Sequence, residues 1–279
     1  MARKNAKKIL VILSEYGYWG EELVGPLHHF DQRGYEVDFA TPTGKRAHAL
    51  PPSMDPEYID PPLGKSVTSE KVAELTRRID ASDRLDDPID IAGWLPERPY
   101  TADDGYLRKL EAYHHAVDTV AQELDAYDAL LIVGGSGPVV DIANNERVHQ
   151  IILAFLAADK PIAAECYGVT PLAFARDWEN RGRSIIYGKH VTGHCKEYDY
   201  KDGTGFLGTD FVIGPPPYPL EYILRDATGP EGRYHGNFGK ETSVIVDYPF
   251  ITGRSTPDSY LTGEKVVEVL EDGLRRFGW

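Results

Sequence analysis

A cysteine at the end of an apolar run is the residue of this 279-residue sequence best placed to do chemistry. Lys160 to Ala175 reads KPIAAECYGVTPLAFA. Pro161 to Ala164 has the composition of a buried strand, Glu165-Cys166-Tyr167-Gly168 interrupts it, and Val169 to Ala175 resumes with apolar residues at helical spacing. A strand that turns sharply into a helix at Cys166 lifts the thiol clear of the sheet. The helix N-terminus then lowers the thiol pKa, and backbone N–H groups at the turn can hold an oxyanion. Gly168 gives the backbone room at the bend. The competing reading is an inert buried thiol, since free Cys is among the most buried residue types. The acidic residue before Cys166 and the glycine two after it favour the functional one.

A second turn of interest is Gly134-Gly-Ser-Gly-Pro138, which follows the apolar run Asp128 to Val133. It lacks the Gly-Lys-Ser/Thr ending of a P-loop and the full dinucleotide fingerprint, so phosphate binding is not indicated. Its place one strand before Cys166 makes it a candidate wall of the same site. The histidines and cysteines show no metal-ligand spacing. His194-Cys195 is suggestive, but no further ligands accompany the pair. His28 and His29 fall in the first helix and read as packing or surface residues.

The elements that position these residues alternate strand and helix. Lys8 to Ser14 is a continuously apolar strand, as in a parallel sheet buried on both faces. The Gly- and aromatic-rich loop Glu15 to Gly20 leads to a helix from about Glu21 to Arg33 with Leu23, Val24, Leu27 and Phe30 on one face, closed by Gly34. Tyr35 to Ala40 completes a β-α-β unit, whose first loop lies where open α/β sheets place their sites. From about 43 to 103 prolines loosen the pattern around one helix, Ser69 to Ile79. This is an insertion packed over the sheet edge, its apolar content too thin for a separate core. Helices follow at Asp104 to Leu124 and Asn145 to Ala158. Beyond the elbow, Ser184 to Tyr187 and His190 to His194 surround a turn at Gly188. Thr204 to Gly214 reads as loop and short strand ending in Pro215 to Pro217, and Tyr222 to Tyr234 as a polar cover over the sheet. Ser243 to Asp247 pairs with Phe250 to Gly253, and a C-terminal helix spans Tyr260 to Phe277.

Composition narrows the function. A net charge of −14 argues against nucleic acid or an anionic membrane surface as partner. No apolar run reaches the ~18 residues of a membrane span, and the apolar run Ile9 to Leu13 is too short for a signal-peptide core. Two cysteines, Cys166 and Cys195, are too few for a disulfide framework, so a reducing cytoplasm is expected.

The ordered series KILVILSEYG, GEELVGPLHHFDQRGYEVDFATP, YDALLIVGGSGPVVDI, DKPIAAECYG, VTGH and FITGRSTPDS covers most of the chain. It resembles the ThiJ/PfpI superfamily of class I glutamine amidotransferase-like proteins, and within it the larger branch of glyoxalase-III-type and heat-shock-chaperone-type members. The resemblance implies an α/β fold over 1–279 with a doubly wound, mostly parallel, flavodoxin-like sheet flanked by helices, and a tendency to homodimerise. It implies that Cys166 is the elbow nucleophile, that Glu22 is the carboxyl hydrogen-bonded to it, and that His194 occupies the histidine position beyond the elbow, with His190 and His235 as rivals. Glu22 would then share a proton with the thiol, its pKa raised. Read without the resemblance, it is a solvated first-turn acid. Backbone N–H groups at Gly135 and Tyr167 would form the oxyanion hole. Tyr16, Tyr18 and Trp19 wall the pocket or belong to the core. Tyr167 and Ser136 stand where that branch usually carries histidines, which makes the pocket less basic.

The implied activity is that of a cofactor-independent cysteine enzyme (glyoxalase, hydrolase or hydratase type) acting on a small carbonyl or amide-like substrate. Two alternatives stay open: an amidase or peptidase with a Cys-His-acid triad, and a stress-response holdase or oxidation sensor.

Overall fold

The computed structural model describes residues 6–60, 63–199 and 219–279. The segment expected to be loop, short strand and proline run (Thr204 to Pro217) lies outside them. The main sheet has eight strands: β1 (Lys8–Ile12), β2 (Glu36–Thr41), β3 (Ile89–Asp90), β4 (Ala129–Ile132), β5 (Ile162–Glu165), β6 (Val244–Asp247), β7 (Phe250–Gly253) and β8 (Arg276–Phe277). Their spatial order is β8-β6-β7-β5-β4-β1-β2-β3. β1 pairs in parallel with β2 and β4, β5 in parallel with β4 and β7, and β2 in parallel with β3. The antiparallel pairings are those of β6 with β7 and with β8.

The larger helices are α1 (Gly20–Arg33), α2 (Glu70–Asp80), α3 (Tyr106–Leu124), α4 (Glu146–Ala157), α5 (Thr170–Phe174), α6 (Leu220–Thr228) and α7 (Ser259–Asp272). Strand side chains alternate between the faces. Ile9, Val11 and Leu131 pack with Leu23, Leu27 and Phe30 of α1 and Val266 of α7. Leu10, Ile12, Leu130 and Ile132 pack with Ile151 and Phe155 of α4, Leu172 of α5 and Leu224 of α6. Each such fully buried side chain contributes about 1.5–3 kcal/mol. Helices therefore cover both faces, and the sheet is doubly wound as expected. The chain leaves β1 through α1 to β2 on one side, then returns to β4 on the other. That reversal opens a crevice at the carboxyl ends of β1 and β4, where such sheets bind ligands.

α1 and α7 cross in close approach. A Cβ on Gly25 would lie 2.6 Å from the Ser259 carbonyl carbon, so only glycine allows the contact. The crossing brings the first turn of α1, which carries Glu22, against the first turn of α7.

Two expectations need correction. The last helix ends at Asp272, where Gly273 takes a left-handed conformation and the chain turns back as β8 beside β6. A glycine cap overrides the apolar spacing that seemed to run on to Phe277. After Cys166 comes a 3-10 turn (Cys166–Val169) and then α5, inside the stretch expected to be helical, with Pro171 in its first turn, where proline is favoured. Tyr222 to Tyr234 does cover the sheet, but through an apolar face: it is mostly α6, which buries Leu224 against the strands. Within the insertion α2 begins at Ser69, whose side chain caps the Val72 N–H, and β3 extends the sheet edge.

Candidate active site

Cys166 stands at the carboxyl end of β5 with φ +55, a left-handed value that a non-glycine residue adopts at a cost of about 1–2 kcal/mol. Sheet and helices on both sides impose that corner, and it aims the side chain into the crevice. Glu22 is 1 % exposed and reaches the thiol from α1, the two sharing a hydrogen bond. The carboxyl fits because residue 134 is glycine: a Cβ there would lie 2.4 Å from Glu22 Oε2 and 2.7 Å from Cys166 Cβ. Backbone N–H groups of Gly135 and Tyr167 also donate to the thiol. They are the two groups expected to form an oxyanion hole. The third partner is His194, whose Nδ1 lies 3.2 Å from Sγ. Its ring stacks on Tyr167, with centroids 4.3 Å apart.

Electrostatics reverse one expectation. The short turn after Cys166 was expected to lower the thiol pKa; instead burial and the neighbouring Glu22 charge push it up, against the pull of the two backbone N–H groups. Burial likewise raises Glu22, to about 8. These are two descriptions of one shared proton. While Glu22 is neutral, its charge no longer opposes the thiolate, and the carboxyl O–H can donate to it.

A cleft of about 650 Å³ opens over this cluster. Trp19, Gly135, Ser136 and Tyr167 line it, as expected, together with Leu50, Tyr58 and Val67 of the insertion and Tyr198 and Phe238. Trp19 Nε1 and Ser136 Oγ are buried there without hydrogen-bond partners, one donor and one hydroxyl available to a bound molecule. Tyr18 is the exception. Its ring is in the core and its hydroxyl donates to Asp80 Oδ1 at 3.1 Å, tying the loop after β1 to the insertion. Tyr16 is exposed.

The rival histidines belong elsewhere. His190 Nδ1 and His235 Nε2 are 2.8 Å apart, and His190 stacks on Trp279. Burial and His190 hold His235 down at about 4. His28 and His29 make edge contacts with Tyr260. Cys195 points into the core, where burial pushes its thiol up to about 12. It therefore diverges from His194, and among the described residues no group of three or more His, Cys, Asp and Glu is arranged to hold a metal.

Two features escaped the sequence reading. Glu165 was noted only as the acid before the cysteine, yet its carboxyl is fully buried and bonded to Ser259. Arg254, also buried, pairs with Asp258 (Nε to Oδ2 3.4 Å) and donates to the carbonyls of Asn237, Lys240 and Glu241, fixing one wall of the cleft. Ser255-x-x-Asp258 after an arginine is a capping-box pattern that marks this helix start.

Comparison with known proteins agrees with this fold. The family described as ThiJ/PfpI family-like matches residues 13–186. The chain is 23 % identical over 258 residues to the protein/nucleic acid deglycase HchA of Pseudomonas aeruginosa (strain UCBPP-PA14), covering 91 % of this chain and 73 % of that protein. It is 23 % identical over 261 residues to the HchA deglycase of Staphylococcus aureus (strain MSSA476), with 91 % and 72 % covered. Among solved structures, the Rapid Encystment Protein 24 kDa of Francisella tularensis superposes with a TM-score of 0.66 at 20 % identity, over 95 % of this chain and 99 % of that one. Glyoxalase III from Candida albicans superposes with a TM-score of 0.60 at 17 % identity, over 95 % and 98 %. These likenesses show the fold, and the matched family spans the crevice, the Gly-rich turn and the elbow. The chain belongs to the ThiJ/PfpI-like family.

Proposed function

We propose that this protein is a cysteine-dependent enzyme acting on a carbonyl compound, with Cys166 as nucleophile and Glu22 as the acid/base. The observation that carries the reading is one buried point shared by a left-handed cysteine, a raised carboxyl and two converging backbone N–H groups. In the first step the Cys166 thiolate, its proton released to solvent, forms a bond to the carbonyl carbon, and the C=O π electrons move to oxygen. The N–H groups of Gly135 and Tyr167 hold that oxygen, and Glu22 gives it a proton, leaving a neutral hemithioacetal and an ionised Glu22. The same carboxylate then takes back a proton as the adduct proceeds. The names of the relatives, a deglycase and a glyoxalase, support a dicarbonyl or a glycation adduct as substrate.

The test is turnover of a panel of α-oxoaldehydes and glycated amines by wild type, Cys166→Ala and Glu22→Gln. Cys166→Ala should be inactive and Glu22→Gln about 10²–10⁴-fold slower, the usual range for general acid–base catalysis. If both variants retain the wild-type rate, the proposal is wrong.

The contact of His194 with the thiol supports a second reading, a Cys-His hydrolase acting on an amide. In that case His194→Ala abolishes turnover, and Glu22→Gln does so less.

A further inference from the structure

Glu165 is an acid with no use in the chemistry above, although it is joined to the nucleophile by a peptide bond. Its carboxyl does not enter the crevice. It lies between the end of β5 and the first turn of α7, where a Cβ on Gly253 would lie 3.0 Å from its Cγ. Glu165 Oε1 is 2.7 Å from Ser259 Oγ, and the same Ser259 Oγ is 2.8 Å from the Thr256 carbonyl oxygen. Two oxygen–oxygen contacts this short need a proton in each. The serine hydroxyl owns one proton and the carbonyl owns none, so the second must come from Glu165. The other oxygen, Oε2, is buried without any partner. For the C=O of a neutral acid that costs little beyond a lost hydrogen bond, whereas a naked buried carboxylate oxygen is far more costly.

The surroundings agree. Glu21 and Glu22 face the carboxyl from α1, Asp258 faces it from the start of α7, and Cys166 follows it in the chain. The nearby cation, Arg254, is committed to Asp258. No ion pair among the described residues involves Glu165. Burial, then the charge on Glu22, push its carboxyl well above the usual range.

We propose that Glu165 is a neutral carboxylic acid that donates its proton to Ser259, and that it is a positioning residue for Cys166 and Glu22. The bond ties the strained corner to the first turn of α7, and the neutral form keeps a second negative charge away from the thiol. The proposal deepens the reading of Cys166 and Glu22 as the reacting pair and rests on it for its catalytic meaning.

The experiment is infrared difference spectroscopy at pH 7 between wild type and Glu165→Gln, with the pH dependence of Cys166 alkylation followed by mass spectrometry. The expected result is a protonated-carboxyl C=O band in wild type that Glu165→Gln removes, with the alkylation midpoint moved by less than about half a unit. In Ser259→Ala the same band should shift to higher frequency as its proton loses the acceptor, which keeps the test open if Glu165→Gln does not fold. Glu165→Ala, which cannot make the bond, should lower the alkylation rate roughly tenfold, and the neutral glutamine should restore it. Absence of the band, or a midpoint lowered by a unit or more in Glu165→Gln, would show an ionised Glu165 and overturn the proposal. So would a band unmoved in Ser259→Ala. The band is read without turnover, so it stands or falls separately from the activity of Cys166→Ala and Glu22→Gln.

Discussion

Glu22 keeps its proton to about pH 8, so toward a thiolate it is a donor and not a competitor. This has a consequence for stability. The folded pKa is near 8 against an ordinary value of 4.5, so between those values the folded chain retains a proton that the unfolded chain has released. The unfolded state then binds fewer protons, and stability falls as pH rises through that window. Glu22→Gln has no such proton; its melting temperature relative to wild type should climb from pH 5 to pH 8, and a constant difference would contradict the assignment. His194 makes a second prediction. His194→Ala should slow alkylation of Cys166 several-fold, while His190→Ala, whose ring stacks on Trp279, leaves it within about twofold, as site-resolved mass spectrometry would show. At this scale much was legible. Cys166 and Glu22 follow from residue type, a corner motif and family resemblance. Tyr18 was not legible, because two aromatics one residue apart in a glycine-rich loop carry no periodicity to say which one faces the core. Glu165 was visible as a letter, but its neutrality depends on Ser259, 94 residues away.

The elbow and the Gly-rich turn form one packed unit, and Gly134 is where that turn meets the reacting side chains. In Gly134→Ala the new methyl would meet the Glu165 carbonyl oxygen and Glu22 Oε2, each at 2.4 Å. Overpacking of this kind costs about 1–3 kcal/mol. Because the displaced atoms are the reacting ones, alkylation of Cys166 and turnover should fall much further than the midpoint of urea unfolding. A variant that loses stability but keeps full reactivity would show that the turn does not position the pair. Six of the eight strands were readable to within a residue or two, since KILVI and ALLI are continuous apolar runs and β-branched residues mark β6; the two-residue β3 and β8 were not. The end of α7 was not. Val266, Val267, Val269 and Leu270 set up a helical pattern that Leu274 and Phe277 appear on paper to continue, and a single glycine in the left-handed region decides otherwise.

Across the whole molecule, the buried pair of Arg254 and Asp258 joins the sheet end to the segment 237–241 that walls the cleft. Removing the guanidinium in Arg254→Leu leaves Asp258 buried without its cation and three carbonyls without their donor, a loss of about 3–5 kcal/mol by the usual cost of breaking a buried ion pair. Urea unfolding should show it, and a loss below 1 kcal/mol would mean the wall holds by other contacts. The contribution of the segment around 50–60 and 63–67 to the cleft was not legible, because Leu50, Tyr58 and Val67 are scattered among prolines without a period. The reacting groups come from the first turn of α1 and from the ends of β4 and β5, adjacent strands in the middle of the sheet. Much of the remaining wall comes from Leu50, Tyr58, Val67, Tyr198 and residues 238–241, which those elements do not contain. Chemistry and much of the lining are thus written in separate parts of the chain. A replacement of wall residues can change which molecules enter without altering how the thiol is charged, so related sequences with the same corner can diverge in diet while keeping one reaction.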